Sequence, residues 1–181
     1  QSLFADPASY DDLDRYLVKH AGGPKSAPPR HIFLVVMESY DAWPLLDKYS
    51  SLGLTRSLSE LGKRGLYFRN FVPASDGTMQ SLTAIITSIP YTQVEINYQT
   101  TARKPYPSSL FDAFKRLGYR TRLFYGGYLS WQRFGDFARD QGAEEVYGAP
   151  HMSEGAATHE WGVDDEYLFD FIMKTVRDDQ P

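Results

Sequence analysis

Residues His31–Asp41 read HIFLVVMESYD. Six apolar side chains run unbroken from Ile32 to Met37, and Ile32, Val35 and Val36 are β-branched. A short continuous apolar run bounded by turn residues predicts a strand buried on both faces, as in a parallel sheet covered by helices. The run ends on Glu38, Ser39, Tyr40 and Asp41. An acid at the carboxyl end of such a strand stands where open α/β sheets place their ligand crevices. The same residues equally describe a strand that simply passes into a polar loop, and the stretch alone divides evenly between the two.

Working outward toward the N-terminus, residues 21–30 read AGGPKSAPPR, a Gly/Pro linker that predicts extended or irregular chain. Before it, Asp6 or Ser9 is placed to cap a helix through Tyr10, Leu13, Tyr16 and Leu17. Residues 1–30 are therefore read as a leading helical arm and linker, and 31–181 as the domain proper.

Toward the C-terminus, Trp43–Tyr49 and Thr55–Lys63 read as short helices, and Leu66–Val72 (LYFRNFV) has strand composition. The stretch PASDGTMQSLTAIITSIP at 73–90 follows. Asp76 and Gly77 are turn residues. From Thr78 the spacing of Leu82, Ile85, Ile86 and Ile89 predicts a helix stopped by Pro90. Thr78 thus falls at a helix N-terminus, where backbone N–H groups and the macrodipole favour an anion. The plainer reading of its hydroxyl is a helix cap. Residues 91–107 form a long polar loop, a common site of function or mobility. Then come a helix over Pro107–Leu117, a strand over Tyr119–Tyr125 ending in Gly126-Gly127, a helix over Ser130–Asp140, a short strand at Glu145–Tyr147, a loop at 148–162 and a last helix with Asp164 and Asp165 in its first turn. The Gly-Gly pair either lets backbone approach a ligand closely or merely turns the chain. The alternation of strands and helices predicts an α/β layered fold with parallel strands.

With 181 residues, 42% of them hydrophobic, the chain has the material for a real core. Its 19 basic and 23 acidic residues leave a net charge of −4, which gives no basic footprint for nucleic acid. The absence of cysteine excludes disulfides, thiolate zinc sites and a cysteine nucleophile. No apolar run reaches the roughly 18 residues that span a bilayer.

Four separated pieces together resemble one family: VVMESYDAW, FVPASDGTMQSLTAIITSIP, LFDAFKRLGYRTRLFYGGYLSWQRF and WGVDDEYLFD. In order and spacing they are similar to the sulfatase-like branch of the alkaline phosphatase superfamily, with the nearest likeness to lipoteichoic acid synthases and phosphoglycerol transferases. The resemblance implies an alkaline-phosphatase-like sandwich of a mostly parallel sheet with helices on both faces, of which this chain is the N-terminal part. It implies Glu38 as a metal-ligand acid, Thr78 as a nucleophile that also coordinates the metal, and Trp131 and Arg133 as contacts to a phosphoglycerol head group. Relatives of the lipoteichoic acid type have His-Gly-Asp where this chain has Tyr125-Gly126-Gly127, which leaves the head group and acceptor open. The chemistry is coherent: coordination to a divalent cation lowers the pKa of a threonine hydroxyl, and a hard oxygen ligand suits Mn²⁺ or Mg²⁺ ahead of Zn²⁺. A formylglycine sulfatase needs Cys/Ser-x-Pro-x-Arg, which Thr78-Met79-Gln80-Ser81-Leu82 does not supply.

What the resemblance implies in full is a metal-dependent transferase. It would move a phosphoglycerol-type group from a phospholipid to a glycan or polymer acceptor through a phospho-threonine. It would work on the periplasmic or extracytoplasmic face of a bacterial inner membrane, with its anchor outside this chain. The family's remaining ligands, an Asp-His pair, have no counterpart here. The chain is therefore expected to be inactive alone, to need the C-terminal part of the same domain as its partner, and to be prone to self-association. Two alternatives stand beside this: a phosphoethanolamine transferase or phosphodiesterase, and a non-catalytic sulfatase-like module that binds glycans or a partner.

Overall fold

A computed structural model of the chain describes residues 26–68, 70–152 and 158–178. The helix expected over residues 1–20 lies outside the described residues, as does the first half of the linker. The chain divides into two compact units, Gln1–Tyr40 and Asp41–Pro181.

In the first unit, residues 31–37 are irregular and Glu38-Ser39 form a turn, with Ser39 at a left-handed φ of 54°. The expected strand is not formed, and its side chains are exposed, from 49% at Ile32 to 64% at Leu34. This corrects the sequence reading. An apolar run records a capacity for burial, but a strand exists only where its N–H and C=O groups meet a neighbouring ladder. Among the described residues nothing pairs with it. Leu66–Val72 departs in the same way: its described residues are irregular, with Leu66 90% and Phe71 81% exposed.

Among the described residues, the regular elements lie in the second unit. Trp43–Leu45 and Asp47–Leu52 are 3-10 turns, and α1 spans Arg56–Gly62. Helix α2 spans Thr78–Thr87 and ends on Ser88, which takes the left-handed conformation at φ 59°. Its buried residues are Met79, Thr83, Ile86 and Thr87, one helical face at i, i+4, i+7 and i+8. Two threonines sit where the apolar pattern favoured Leu82 and Ile85. They tolerate burial because the helix itself accepts their protons: Thr83 Oγ1 donates to the Gln80 carbonyl at 2.9 Å and Thr87 Oγ1 to the Thr83 carbonyl at 2.7 Å.

Helix α3 spans Leu110–Arg116, β1 Arg122–Phe124, α4 Phe134–Asp140 and β2 Glu145–Tyr147. Strands β1 and β2 pair in parallel, with Leu123 beside Val146 and Phe124 beside Tyr147. The period of two along each strand sorts these pairs onto opposite faces. Leu123 and Val146 join the main core with Met79, Ile86, Phe111, Phe134 and Phe137. Phe124 and Tyr147 stack at 5.2 Å on the other face, where Phe171 meets both. Phe171 belongs to α5, Asp165–Asp178, so helices cover the sheet on both sides. The long polar loop is pinned by Gln141, fully buried after α4. Its side chain accepts from the Tyr106 N–H at 3.0 Å and donates to the carbonyls of Ala102 at 3.0 Å and Lys104 at 3.2 Å.

The glycines after β1 serve the chain's own backbone. The Gly126 carbonyl accepts from Val163 N–H at 2.9 Å and the Gly127 carbonyl from Ala149 N–H at 2.9 Å. Gly162 lies against them at φ 132°, where an added Cβ would stand 2.0 Å from the Gly126 oxygen. Gly162-Val163 (β4) pairs antiparallel with Thr158-His159 (β3).

Across the parallel pair, Glu145 accepts from Arg122 and from the Tyr147 hydroxyl, with Arg120 3.4 Å away. The Arg122 hydrogen bond, helped by Tyr147 and Arg120, holds the Glu145 carboxyl below its ordinary value of 4.5. A lowered folded-state pKa stabilises above the unfolded pKa, and that stability is lost as pH falls through the folded value. Thermal unfolding of wild type and Arg122→Met should therefore differ most near neutral pH and converge as pH falls through the lowered Glu145 value. A difference that holds constant across that range would mean the pair contributes nothing through charge.

Candidate active site

The sequence GTMQS builds the start of α2. Gly77 takes the N-cap position in an extended conformation, φ −95° and ψ 139°, and Thr78 is the first helical residue. The cap reading of Thr78 is thereby corrected: Gly77 holds that place. The Gln80 side chain packs close over Gly77: an added Cβ would stand 1.9 Å from Gln80 Oε1, so a larger residue there would push that side chain aside. The approach is fixed by Ser75, whose Oγ accepts from Gly77 N–H at 3.3 Å and whose carbonyl accepts from Ser81 Oγ at 2.9 Å.

Polar groups from the following loop close on this helix start. Gln80 Nε2 donates to Glu95 Oε1 at 2.7 Å, and the Tyr91 hydroxyl donates to the same oxygen at 3.3 Å. Partial burial, then the charge and hydrogen bond of Glu95, then Asp76, push the Tyr91 phenol above its ordinary 10. A helix start of this kind offers first-turn N–H groups and the positive end of a dipole to a phosphoryl oxygen. Thr78 carries a hydroxyl to the same place.

Trp131 and Arg133 stand on a 3-10 turn rather than within the longer helix expected from the sequence. Gln132 and Arg133 both take left-handed backbone, φ 44° and 58°, and this kink separates the turn from α4. Trp131 is half-buried against the core, its ring 6.3 Å from that of Tyr125. The Arg133 guanidinium donates to the Asn97 carbonyl and lies 3.5 Å from Asp140 Oδ2 and 3.9 Å from Asp136 Oδ2. Asn97 Nδ2 donates to the Gln132 carbonyl at 2.7 Å.

Glu38 lies in the exposed turn of the first unit, whereas Thr78, Trp131 and Arg133 all belong to the second. Of these, the structure links the Thr78 helix and the Trp131–Arg133 turn through residues 95–97. Gln80, Tyr91, Glu95 and Asn97 were not singled out from sequence. Their signal was only that the polar loop from 91 to 107 was long enough to be functional.

Among the described residues the donor set for a divalent cation is incomplete. Among the described residues no group of three or more His, Cys, Asp or Glu side chains could hold a metal ion. His151 is engaged with the Gly148 backbone at 3.1 Å, and His159 lies 3.5 Å from Asp164. One shallow concavity, lined by Pro44, Asp47, Thr55, Ser59 and Glu60, contains none of the predicted site residues.

Against known proteins, a sequence model named for the sulfatases matches residues 30–181. A solved structure of a protein in the alkaline phosphatase superfamily from Vibrio parahaemolyticus superimposes with a TM-score of 0.62 at 22% identity, covering 70% of this chain. The match takes in 32% of that protein's chain. The likeness establishes an alkaline-phosphatase-like α/β fold, of which this chain covers a part.

Proposed function

The chain belongs to the sulfatase family, and on that footing we propose that its protein transfers a phosphoglycerol-type group from a phospholipid to a glycan or polymer acceptor, with Thr78 as nucleophile. The observation that carries the reading is the placing of Thr78 one residue inside the N-terminus of α2, behind a glycine cap. A hydroxyl on the first helical residue is within the turn whose N–H groups would bind a phosphoryl group. The Thr78 oxygen would bond to phosphorus while the bond from phosphorus to the diacylglycerol oxygen breaks, and diacylglycerol leaves with the hydroxyl proton. An acceptor hydroxyl then attacks phosphorus, and Thr78 regains its proton as the phosphoglycerol departs.

Members of this superfamily generally depend on divalent metal ions. We propose Thr78 as an oxygen donor to such an ion, Mn²⁺ or Mg²⁺ ahead of Zn²⁺, with the other donors supplied from elsewhere in the protein. This chain's described residues do not by themselves complete the coordination of such an ion. The Trp131–Arg133 turn is assigned to the head-group side of the site. The sequence lacks the formylglycine signature, so sulfate-ester hydrolysis by that route is not proposed. We place the whole protein at the extracytoplasmic face of a bacterial membrane, where both the lipid and a glycan acceptor are found.

A specific observation favours a second reading. Asp76 and Glu95 set two carboxylates beside the α2 start, and both act on Tyr91. Such acids would suit the ammonium of a phosphoethanolamine group. Mass spectrometry of the complete protein after incubation with phosphatidylglycerol or phosphatidylethanolamine decides between them. The expected product is glycerol phosphate on the peptide bearing Thr78. Ethanolamine phosphate there selects the second reading, and a phosphorylated group on any other residue rejects Thr78.

A further inference from the structure

We infer that Glu95, Ile96 and Asn97 form a strut that fixes the Trp131–Arg133 turn relative to the helix carrying Thr78, with Glu95 and Asn97 as positioning residues. The inference rests on the assignment of Thr78 as nucleophile and of the turn to the head-group side.

Three consecutive residues make three different attachments. Glu95 takes the Gln80 amide at 2.7 Å, two residues after Thr78. Ile96 is 8% exposed and shares the core with Met79, the residue next to Thr78. Asn97 is fully buried and binds the turn twice, through its side-chain N–H to the Gln132 carbonyl at 2.7 Å and through its own carbonyl to the Arg133 guanidinium. A chain of contacts thus runs from Thr78's neighbours to Trp131's neighbours within three residues.

Two observations indicate that this is more than ordinary packing. Gln132 and Arg133 hold left-handed φ values of 44° and 58° without being glycine. Such backbone persists only where its surroundings over-determine it, and it concentrates at functional sites. Asn97 Oδ1 is buried without a hydrogen-bond partner among the described residues. A buried amide with one end unsatisfied costs stability that an apolar side chain would not, so the donor end must be what the site requires. Arg133, held by Asn97 and Asp140, then acts on the head group through the turn it anchors.

The test uses the complete protein and fluorescent phosphatidylglycerol in detergent micelles. Asn97→Ala and Glu95→Ala should each lower kcat about 10- to 100-fold with little change in KM, the size expected when a reacting group is displaced by about an ångström. Glu95→Gln keeps an acceptor for Gln80 and should restore kcat to within about twofold of wild type. The double Ala variant should lose less than the product of the single losses, because either cut releases the same strut. Equal losses in Glu95→Gln and Glu95→Ala would overturn the inference in favour of a charge role. Variants that lower only the unfolding temperature would overturn it in favour of packing.

Failure of the nucleophile assignment reads out separately, as turnover retained in Thr78→Ala. In that event hydrogen exchange at the Arg133 amide, which donates to the Ser130 carbonyl at 3.1 Å, still decides the strut. Faster exchange in Asn97→Ala supports it, and unchanged exchange removes it.

Discussion

Replacing Thr78 by Ala in the complete protein is expected to reduce transfer to background, a loss of about four orders of magnitude or more. A residue that forms the covalent intermediate cannot be approximated by its neighbours, and none of the polar groups around it stands in the same place. Ser75 is committed to the Gly77 N–H, and the Ser81 hydroxyl donates to the Ser75 carbonyl. Thr78→Ser keeps the hydroxyl on the same helix residue and should retain measurable turnover, slower because serine's χ1 is less restricted than threonine's. The unfolding temperature of Thr78→Ala should stay near wild type, since Gly77 holds the N-cap position. A rate close to wild type in Thr78→Ala would remove the covalent reading entirely. Loss of folding in that variant would show that the hydroxyl is structural.

The second large effect concerns stability. Phe137 is 0% exposed and sits in the main core. Phe137→Ala should cost about 3–5 kcal/mol, the lost transfer energy of the ring plus the cavity it leaves. For a domain of this size that lowers the unfolding midpoint by about 10 °C. Phe137→Leu refills much of the space and should cost only about 1.5 kcal/mol. Calorimetry on the three proteins measures both. A cost under about 1 kcal/mol for the alanine variant would mean that this face of α4 is not closed.

These two predictions draw on the parts of the fold that sequence made legible. Helix α2 was readable because Asp76-Gly77 and Pro90 bracket a periodic run. Helix α3 was readable because Leu110, Phe111 and Phe114 share a face, and Gly118 follows at φ 86°. Strand β2 was placed at its observed bounds. Ile32–Met37 was misread because its pattern states what the side chains would bury if covered, and covering is a property of the rest of the structure. The buried threonines of α2 were missed because their hydroxyls are satisfied by backbone that a hydropathy pattern does not weigh.

The Trp131–Arg133 turn was illegible for a different reason. Left-handed backbone is signalled in sequence by Gly or Asn, and Gln132-Arg133 carries neither. The contact that meets this turn comes from Asn97, 35 residues upstream of Gln132. Nothing local to either stretch encodes that pairing. Thr78, by contrast, could be singled out because its helix start is a local feature.

The exposed run from Ile32 to Met37 has a consequence for handling the protein. Six apolar residues without proline or charge, half to two-thirds bare, have the composition of segments that stack into cross-β fibrils. Overproduced as this chain alone, the protein should collect in inclusion bodies and hold chaperones. A lysine placed at Val35 would act as a gatekeeper and return it to the supernatant.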